Sequence, residues 1–133
     1  MCVFCKIVEG EIPAYKVYED DDILAFLDIS QVTVGHTLVI PKKHYENIFE
    51  LDEEDASKLF KAVTKVAKQL KTSLQIENLN ILNNNGKLAY QSVFHYHIHL
   101  LPRYQNDKFS INFPTNKLSE TEFIELRDKI GKN

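Results

Sequence analysis

Long hydrophobic runs are absent from this sequence, and so are the features of a secretory signal. No apolar stretch approaches the roughly 20 residues that a membrane-spanning helix needs. The first six residues, MCVFCK, contain no basic segment followed by a long apolar one, which a signal peptide would require. We therefore expect a cytoplasmic protein that has no membrane partner.

Excess positive charge is also absent, and cysteines are few. The chain has 16 Lys and Arg against 19 Asp and Glu, a net charge of −3. Binding along a phosphate backbone needs concentrated Lys and Arg, so nucleic acid is not expected as a partner. The only cysteines are Cys2 and Cys5, and thiols in the cytoplasm are kept reduced. Their spacing allows three interpretations: a redox pair, two incidental thiols or half of a metal site.

Internal repeats, low-complexity tracts and linkers rich in proline or glycine are missing as well. Nothing therefore marks a domain boundary, and residues 1–133 are expected to form a single domain of common size. The hydrophobic share of 44% and the charged share of 26% are those of an ordinary globular protein.

Hydrophobic periodicity predicts one long amphipathic helix, several short strands and a helix near each end. The clearest pattern covers 53–74, where apolar residues recur at helical spacing after Asp52, a residue type that caps helices. Ser119 and Glu122 form a capping-box pattern for a C-terminal helix that extends to about residue 130. The other predicted elements are a helix at 4–8 and strands at 17–19, 23–27, 37–40, 78–82 and 93–101, the last broken by Pro102. This order predicts an α+β fold, with an antiparallel sheet of about five strands covered by helices.

Histidine occupies every second position in the segment FHYHIHLL, residues 94–101. Alternate side chains of a strand share one face, so His95, His97 and His99 are expected to lie together at intervals of about 7 Å. The residues between them would point into the core on the opposite face; these are Phe94, Tyr96, Ile98 and Leu100.

Three interpretations of these histidines differ in chemistry. A solvent-facing strand is one, although such strands use Thr, Lys or Glu more often than three successive histidines. A three-histidine metal site is the second, but the outer Cα atoms would lie about 13 Å apart, so the rings would have to splay strongly. Nucleophilic catalysis is the third, because imidazole with a pKa of about 6.5 is largely neutral near pH 7. The middle ring, His97, has a neighbour on each side and is best placed to attack.

The pattern of histidines alternating with hydrophobic residues resembles the signature of the histidine triad (HIT) family of nucleotide hydrolases and transferases. Further segments resemble that family in the expected order. They are FCKI at 4–7, EIPA at 11–14, AFLDI at 25–29, GHTLVIPKKH at 35–44 and QSV at 91–93. The resemblance implies a HIT-like fold, no organic cofactor, and a homodimer formed through the long helix and a sheet edge.

The resemblance also implies roles for individual residues. His97 would attack the α-phosphorus of a purine nucleotide that contains AMP, forming a nucleotidyl-histidine that water then hydrolyses. His99 and His36 would contact the phosphate or support the nucleophile. Asp28 would bind the ribose hydroxyls, as a carboxylate can accept two such donors. The phosphate oxygens would be bound by Gln91, Ser92 and Asn84, and the base would be held by Phe4, Ile7 and Ile29.

The cysteine pair is completed by histidines in the same resemblance. In bacterial members of the family, the positions that match Cys2, Cys5, His44 and His95 often hold zinc. Two thiolates and two imidazoles make a closed tetrahedral site of the structural type. His95 would then anchor the N-terminus and would not handle protons.

The sequence leaves the substrate open. The N-terminal two-thirds of the chain resembles most the branch of the family that acts on adenosine monophosphoramidates, whereas LLPR at 100–103 is closer to the branch that cleaves dinucleoside polyphosphates. Other classes of function are a module that binds AMP without useful turnover and a metal-dependent hydrolase. Residues 103–117, in which Phe109, Ile111 and Phe113 alternate, could form an edge strand or cover a partner's pocket.

Overall fold

The computed structural model describes residues 2–131, in which five strands form one antiparallel sheet. Three α-helices accompany the sheet, and the predicted α+β class is confirmed. No helix within these residues has the length and apolarity needed to span a membrane. In chain order the elements are α1 (Val3–Val8), β1 (Lys16–Glu19), β2 (Ile23–Leu27), β3 (Thr37–Pro41), α2 (Glu53–Leu74), β4 (Asn78–Leu82), β5 (Ile98–Arg103) and α3 (Glu120–Gly131). The strands lie side by side in the order β1-β2-β3-β5-β4.

The long helix α2 begins and ends where the sequence predicts. The side chain of Asp52 accepts hydrogen bonds from the backbone N–H groups of Glu54 and Asp55, which have no partner within the helix. Apolar residues along one stripe of α2 pack against one face of the sheet and form the larger core. The stripe consists of Leu59, Ala62, Val63, Val66 and Leu70, whereas the adjacent Phe60 stays exposed.

The opposite face of the sheet is covered by the short helix α1. Phe4 and Ile7 of α1 pack there against alternate residues of β2 and β3, which are Leu24, Phe26, Leu38 and Ile40. The intervening residues of β2 and β3 face α2. These strands are therefore buried on both faces, as expected for nearly continuous hydrophobic runs. The sheet thus has two covered sides, and the histidines lie on the side of α1.

The last strand differs from its prediction at both ends. It begins at Ile98 and not at residue 93, because its pairing with β3 stops at Val39–Ile98 and its pairing with β4 stops at Leu82–His99. Beyond that point the carbonyl of Pro41 accepts a hydrogen bond from the ring of His95. The predicted break at Pro102 is also wrong.

Pro102 lies inside β5, opposite Leu79 of β4. Past Leu100 the strand has a neighbour on one side only, and an edge tolerates proline.

Of the four residues predicted to face the core, Tyr96, Ile98 and Leu100 do so, whereas Phe94 is exposed because it precedes the strand.

The C-terminal segment is the least buried part of the structure. The capping box is confirmed, since Ser119 N–H donates to the Glu122 carboxylate and Glu122 N–H donates to the Ser119 hydroxyl. However, every side chain from 110 to 131 is exposed, so the expectation that this helix packs against the sheet is wrong. Residues 104–117 contain no strand, which removes the edge-strand interpretation of that segment.

Candidate functional site

The three alternating histidines share one face, but that face is covered by α1. The Phe4 ring lies edge-on to two of them, with centroid distances of 5.9 Å to His95 and 5.2 Å to His97. His95 is fully buried and His97 is 4% exposed. The chain bends before β5. The ring centroids of His97 and His99 are 4.9 Å apart, closer than the roughly 7 Å between alternate residues of a regular strand.

The ring of His97 is held in one orientation. Its Nδ1 lies 2.7 Å from the carbonyl oxygen of His95, which can only accept, so Nδ1 carries the hydrogen and donates it. The lone pair is therefore on Nε2. Burial lowers the pKa of His97, against the opposing effect of this hydrogen bond, and the ring is neutral at pH 7. A neutral imidazole with a free Nε2 is the form that can act as a nucleophile.

His36 and His99 form a hydrogen-bonded pair beside His97. Nε2 of His36 and Nδ1 of His99 are 2.9 Å apart, and an oxygen of Asp28 lies 3.6 Å from the same His36 nitrogen. Burial lowers the pKa of His36, and it lowers that of His99 to about 4, with the neighbouring His97 adding to the effect. Both rings are thus neutral, and the pair can pass a proton between its two members.

His97 and His99 line a cavity of about 420 Å³, which lies in the size range of small-molecule sites. Its walls are mostly apolar and include the three predicted base-binding residues, Phe4, Ile7 and Ile29. Asp28 and Ser92 contribute polar groups. One oxygen of Asp28 also accepts a hydrogen bond from the N–H of Ser30, which fixes the carboxylate at the cavity. Sequence analysis missed further apolar lining residues, among them Ile12, Phe26 and Leu38.

Three predicted site residues are outside the cavity wall. His36 is buried and reaches the cavity through His99. Asn84 is half-buried in the turn after β4. Gln91 is 5% exposed and its amide is fully used, since it accepts from Gly86 N–H and donates to the carbonyls of Glu46 and Val93. Gln91 therefore fastens the loop that leads to the histidines.

Two cysteines and two histidines converge at the other end of the histidine segment. The Sγ atoms of Cys2 and Cys5 lie 3.3 to 3.5 Å from Nδ1 of His44 and Nδ1 of His95, and those two nitrogens are 3.1 Å apart. Zinc–sulfur bonds of about 2.3 Å and zinc–nitrogen bonds of about 2.0 Å in a tetrahedron require edges of this length. The Nε2–H of His95 donates to the Pro41 carbonyl at 2.8 Å, which leaves the Nδ1 lone pair free for an ion.

The pKa of the Cys5 thiol agrees with a site that suits a cation. Burial, and then the hydrogen bond and charge of Cys2, raise the pKa of Cys5 to about 11. A thiolate at Cys5 is thus unfavourable alone and would be stabilised by a bound divalent ion. The donor set therefore fits a structural zinc ion.

The sequence matches the family of the HIT domain over residues 9–106. It is 55% identical over 116 residues to Protein hit of Bacillus subtilis, covering 86% of this chain and 80% of that protein. It is 40% identical over 132 residues to adenosine 5'-monophosphoramidase hnt1 of Schizosaccharomyces pombe, covering 98% and 96% of the two chains.

Solved structures agree with the sequence matches. A crystal structure of a HIT family member from Bacillus subtilis superposes with a TM-score of 0.94 at 49% identity, covering 98% of this chain and 95% of that one. A Zn-bound histidine triad family protein from Mycobacterium smegmatis superposes with a TM-score of 0.77 at 38% identity, covering 98% and 94%.

Proposed function

Because this chain belongs to the HIT domain family, we propose that it is a nucleotide-binding hydrolase in which His97 attacks the α-phosphorus of a purine nucleotide. One observation carries the proposal. His97 is a neutral imidazole whose Nδ1–H is bound to a backbone carbonyl, and its ring lines a cavity that also contains a carboxylate and a hydroxyl.

The reaction proceeds in two displacements. In the first, the Nε2 lone pair of His97 forms a bond to the α-phosphorus, and the bond from phosphorus to the leaving group breaks with its electron pair. The leaving amine or phosphate takes a proton from solvent, which the pair formed by His99 and His36 relays to it. In the second, water attacks phosphorus, the Nε2–P bond breaks with its electron pair returning to His97, and the proton released by water passes to solvent through the same pair. AMP and the protonated leaving group are the products.

The residues around His97 contribute binding and charge stabilisation. The Nδ1–H bond to the His95 carbonyl stabilises the positive charge that the ring acquires when Nε2 is bonded to phosphorus. We propose that Asp28 binds the ribose hydroxyls, that Ser92 and Asn84 bind phosphate oxygens, and that Gln91 acts by holding the loop. The base would occupy the apolar slot formed by Phe4, Ile7 and Ile29.

Phosphoramidates of adenosine monophosphate are the substrates that we favour, because relatives at this level of similarity are named adenosine 5'-monophosphoramidase. Dinucleoside polyphosphates are the second class. A purified sample given both substrates in parallel should cleave the phosphoramidate with the higher kcat/KM. A higher kcat/KM for the dinucleoside polyphosphate would make polyphosphates the preferred substrates. The proposed role of His97 would be unchanged.

We further propose that Cys2, Cys5, His44 and His95 hold a structural zinc ion. The interatomic distances support this assignment, as does the similar Mycobacterium smegmatis protein that is described as Zn-bound. When bound, the ion would link α1 to the histidine segment. It would supply no catalytic step, since four protein ligands close its coordination sphere.

A cytoplasmic homodimer made of single-domain chains completes the proposal. Apolar side chains that are exposed on α2 and β4 support it, because a lone chain would leave Phe60 and Ile81 half in water. The exposed C-terminal segment, residues 110–131, could cover part of a partner. Light scattering should give twice the chain mass of 15.4 kDa, and a monomer at micromolar concentration would contradict this part.

The decisive experiment replaces the nucleophile. His97→Ala should reduce turnover by at least about a thousandfold while AMP still binds, because the cavity and Asp28 remain. Mass spectrometry of acid-quenched wild-type enzyme should show a nucleotide attached to His97. Activity that persists in the variant would disprove the assignment. Wild-type protein that binds AMP but cleaves neither substrate would instead indicate a binding module.

A further inference from the structure

Two asparagines link the backbone of the His97 residue to a distant loop. The amide Nδ2–H of Asn83 donates to the carbonyl oxygen of His97 at 2.8 Å. The Oδ1 of Asn83 accepts from the amide of Asn85 at 2.7 Å, and the Oδ1 of Asn85 accepts from the N–H of Ile48 at 2.7 Å. The chain of hydrogen bonds thus joins three separate segments.

The polarity of this chain is determined at both ends. The backbone N–H of Ile48 can only donate, so it must meet the oxygen of Asn85. The backbone carbonyl of His97 can only accept, so it must meet the nitrogen of Asn83. Each asparagine therefore has one orientation that satisfies its neighbours, and an aspartate in either position would place two acceptors against each other.

The hydrogen bond from Asn83 lies just beyond the point where the backbone pairing of β5 with its two neighbouring strands ends. Pairing of β5 with β4 ends at His99, which faces Leu82, and pairing with β3 ends at Ile98. His97 is the next residue outward and lies beyond both ladders. The Asn83 side chain replaces the main-chain donor that a longer β4 would have provided.

We infer that Asn83, oriented by Asn85, is a positioning residue for the nucleophile His97. Neither asparagine lines the nucleotide cavity, so each acts through the backbone of His97 and not on the substrate. The inference rests on the proposed function, because it presupposes that His97 attacks phosphorus. Nothing in the family resemblance assigns a role to either residue.

Positioning acts on the direction of Nε2. The His97 ring is oriented by its own Nδ1–H bond to the His95 carbonyl, and that bond depends on the course of the backbone from 95 to 97. On one side the N–H of Tyr96 donates to the carbonyl of Tyr45, and on the other Asn83 holds the carbonyl of His97. Without Asn83 the backbone gains freedom, and a small displacement of a reacting atom can slow a reaction by up to about a hundredfold.

The test measures the single-turnover rate of nucleotide transfer to His97, together with KM and the Kd for AMP. Asn83→Ala should slow the transfer about tenfold. Asn83→Asp, which keeps the shape but opposes the carbonyl, should slow it more. In both variants KM and the AMP Kd should stay within about twofold, because the cavity is unchanged. Asn78→Ala, which replaces an exposed asparagine at the start of β4, is the matched control and should have no effect.

Asn85 supplies a second test through a double-mutant cycle. Asn85→Ala alone should slow transfer by a smaller factor, and adding it to Asn83→Ala should cause no further loss, because Asn85 acts only through Asn83. Multiplicative losses would overturn the proposed link. Transfer at the wild-type rate in Asn83→Asp, or a weaker AMP affinity that accounts for the whole loss, would overturn the positioning role.

Two controls separate this inference from folding and from the proposed function. Variants are compared at temperatures well below their measured unfolding midpoints, so a loss of folded protein cannot imitate slow chemistry. Wild-type enzyme that forms no nucleotidyl-histidine would disprove the proposed function itself. Wild-type transfer at a normal rate, combined with unaffected Asn83 variants, would disprove only the inference.

Discussion

Two pairs of histidines lie on the same face of the sheet and have different geometry. In the pair of His44 and His95 the nearest nitrogens are 3.1 Å apart and the ring centroids 4.9 Å apart. In the pair of His36 and His99 the nitrogens are closer, at 2.9 Å, but the centroids are farther apart, at 5.1 Å. The nitrogens of the second pair, His36 and His99, therefore point at each other. The nitrogens of the first pair, His44 and His95, both point toward a shared position beside them.

The difference shows how one side-chain type serves two chemistries. Convergent lone pairs beside two thiols suit a metal ion, while nitrogens that face each other share a proton. A carboxylate, Asp28, lies near the second pair and would complete a metal-ligand set by distance alone. The direction of the nitrogens argues against that use. Ring orientation, and not proximity, distinguishes the two pairs.

The largest expected effect comes from removing the two cysteines that lie beside the first pair, His44 and His95. Cys2→Ser combined with Cys5→Ser should reduce bound zinc from one ion per chain to none, as measured by elemental analysis. The free energy of unfolding in denaturant should fall by about 4 kcal/mol when zinc is supplied at about 1,000 times its Kd.

His36→Asn is the matched change in the second pair. It should keep one zinc per chain, because His36 is not a ligand of the first site. Equimolar zinc in the double-serine variant, or its loss in His36→Asn, would contradict the distinction between the pairs.

An intermediate effect is expected at Gly35, which precedes His36. Its φ is +96°, and a Cβ would lie 2.5 Å from Leu74 Cδ1 and 3.1 Å from Pro102 Cγ. Gly35→Ala should therefore destabilise the protein by about 2–3 kcal/mol and displace His36, lowering turnover without loss of zinc. Denaturant unfolding and the rate of hydrolysis measure the two effects.

Gly10 separates backbone strain from steric clash. Its φ is +81°, but nothing lies within 4 Å of an added Cβ. Gly10→Ala should thus show only the strain of positive φ, about 1 kcal/mol, with turnover unchanged. Equal losses of stability and of turnover in the Gly35→Ala and Gly10→Ala variants would mean that the contacts around Gly35 do not hold His36 in place.

The smallest effect concerns pH. The pKa of His99 is lowered to about 4 in the folded chain, whereas an exposed histidine titrates near 6.5. Between these values the unfolded chain binds more protons, so the contribution of His99 to stability is full above pH 6.5 and is lost as the pH falls toward 4. Thermal unfolding midpoints measured from pH 7.5 to 4.5 should therefore decrease.

His99→Asn isolates this contribution, since it keeps the acid-sensitive thiol site but has no ring to protonate at 99. Its midpoint should decrease less steeply with falling pH than that of the wild type. Parallel curves would show that His99 is not responsible for the acid sensitivity.

Features that depend on local sequence could be predicted. The bounds of α2 follow from Asp52 and from a periodic apolar stripe, and the Ser119 capping box follows from two residues three positions apart. The start of β5 could not be predicted, because it depends on where β3 and β4 stop pairing. The packing of α3 could not be predicted either, because the apolar pattern of a helix does not show which surface the helix packs against.

The site shows the same division. Alternation along the chain predicted that His95, His97 and His99 share a face, and family-like motifs indicated which residues line the cavity. The engagement of Gln91 depends on the carbonyl of Glu46 in a remote loop, and the role of Asn83 depends on the point where two ladders end. Interactions through backbone atoms leave little trace in residue type, so such contacts require coordinates.

Pro41 lies in β3 two residues beyond Val39, where the pairing of β3 with β5 stops. In an antiparallel strand the nitrogen and the carbonyl of one residue face the same neighbour, and here the carbonyl faces His95. The nitrogen on that side has no hydrogen to offer, because the residue is proline. Another amino acid at this position would present a backbone N–H donor toward the chain that precedes Ile98. One missing hydrogen atom thereby leaves the Pro41 carbonyl bonded to a side chain, the ring of His95, where a regular ladder would bond it to the backbone.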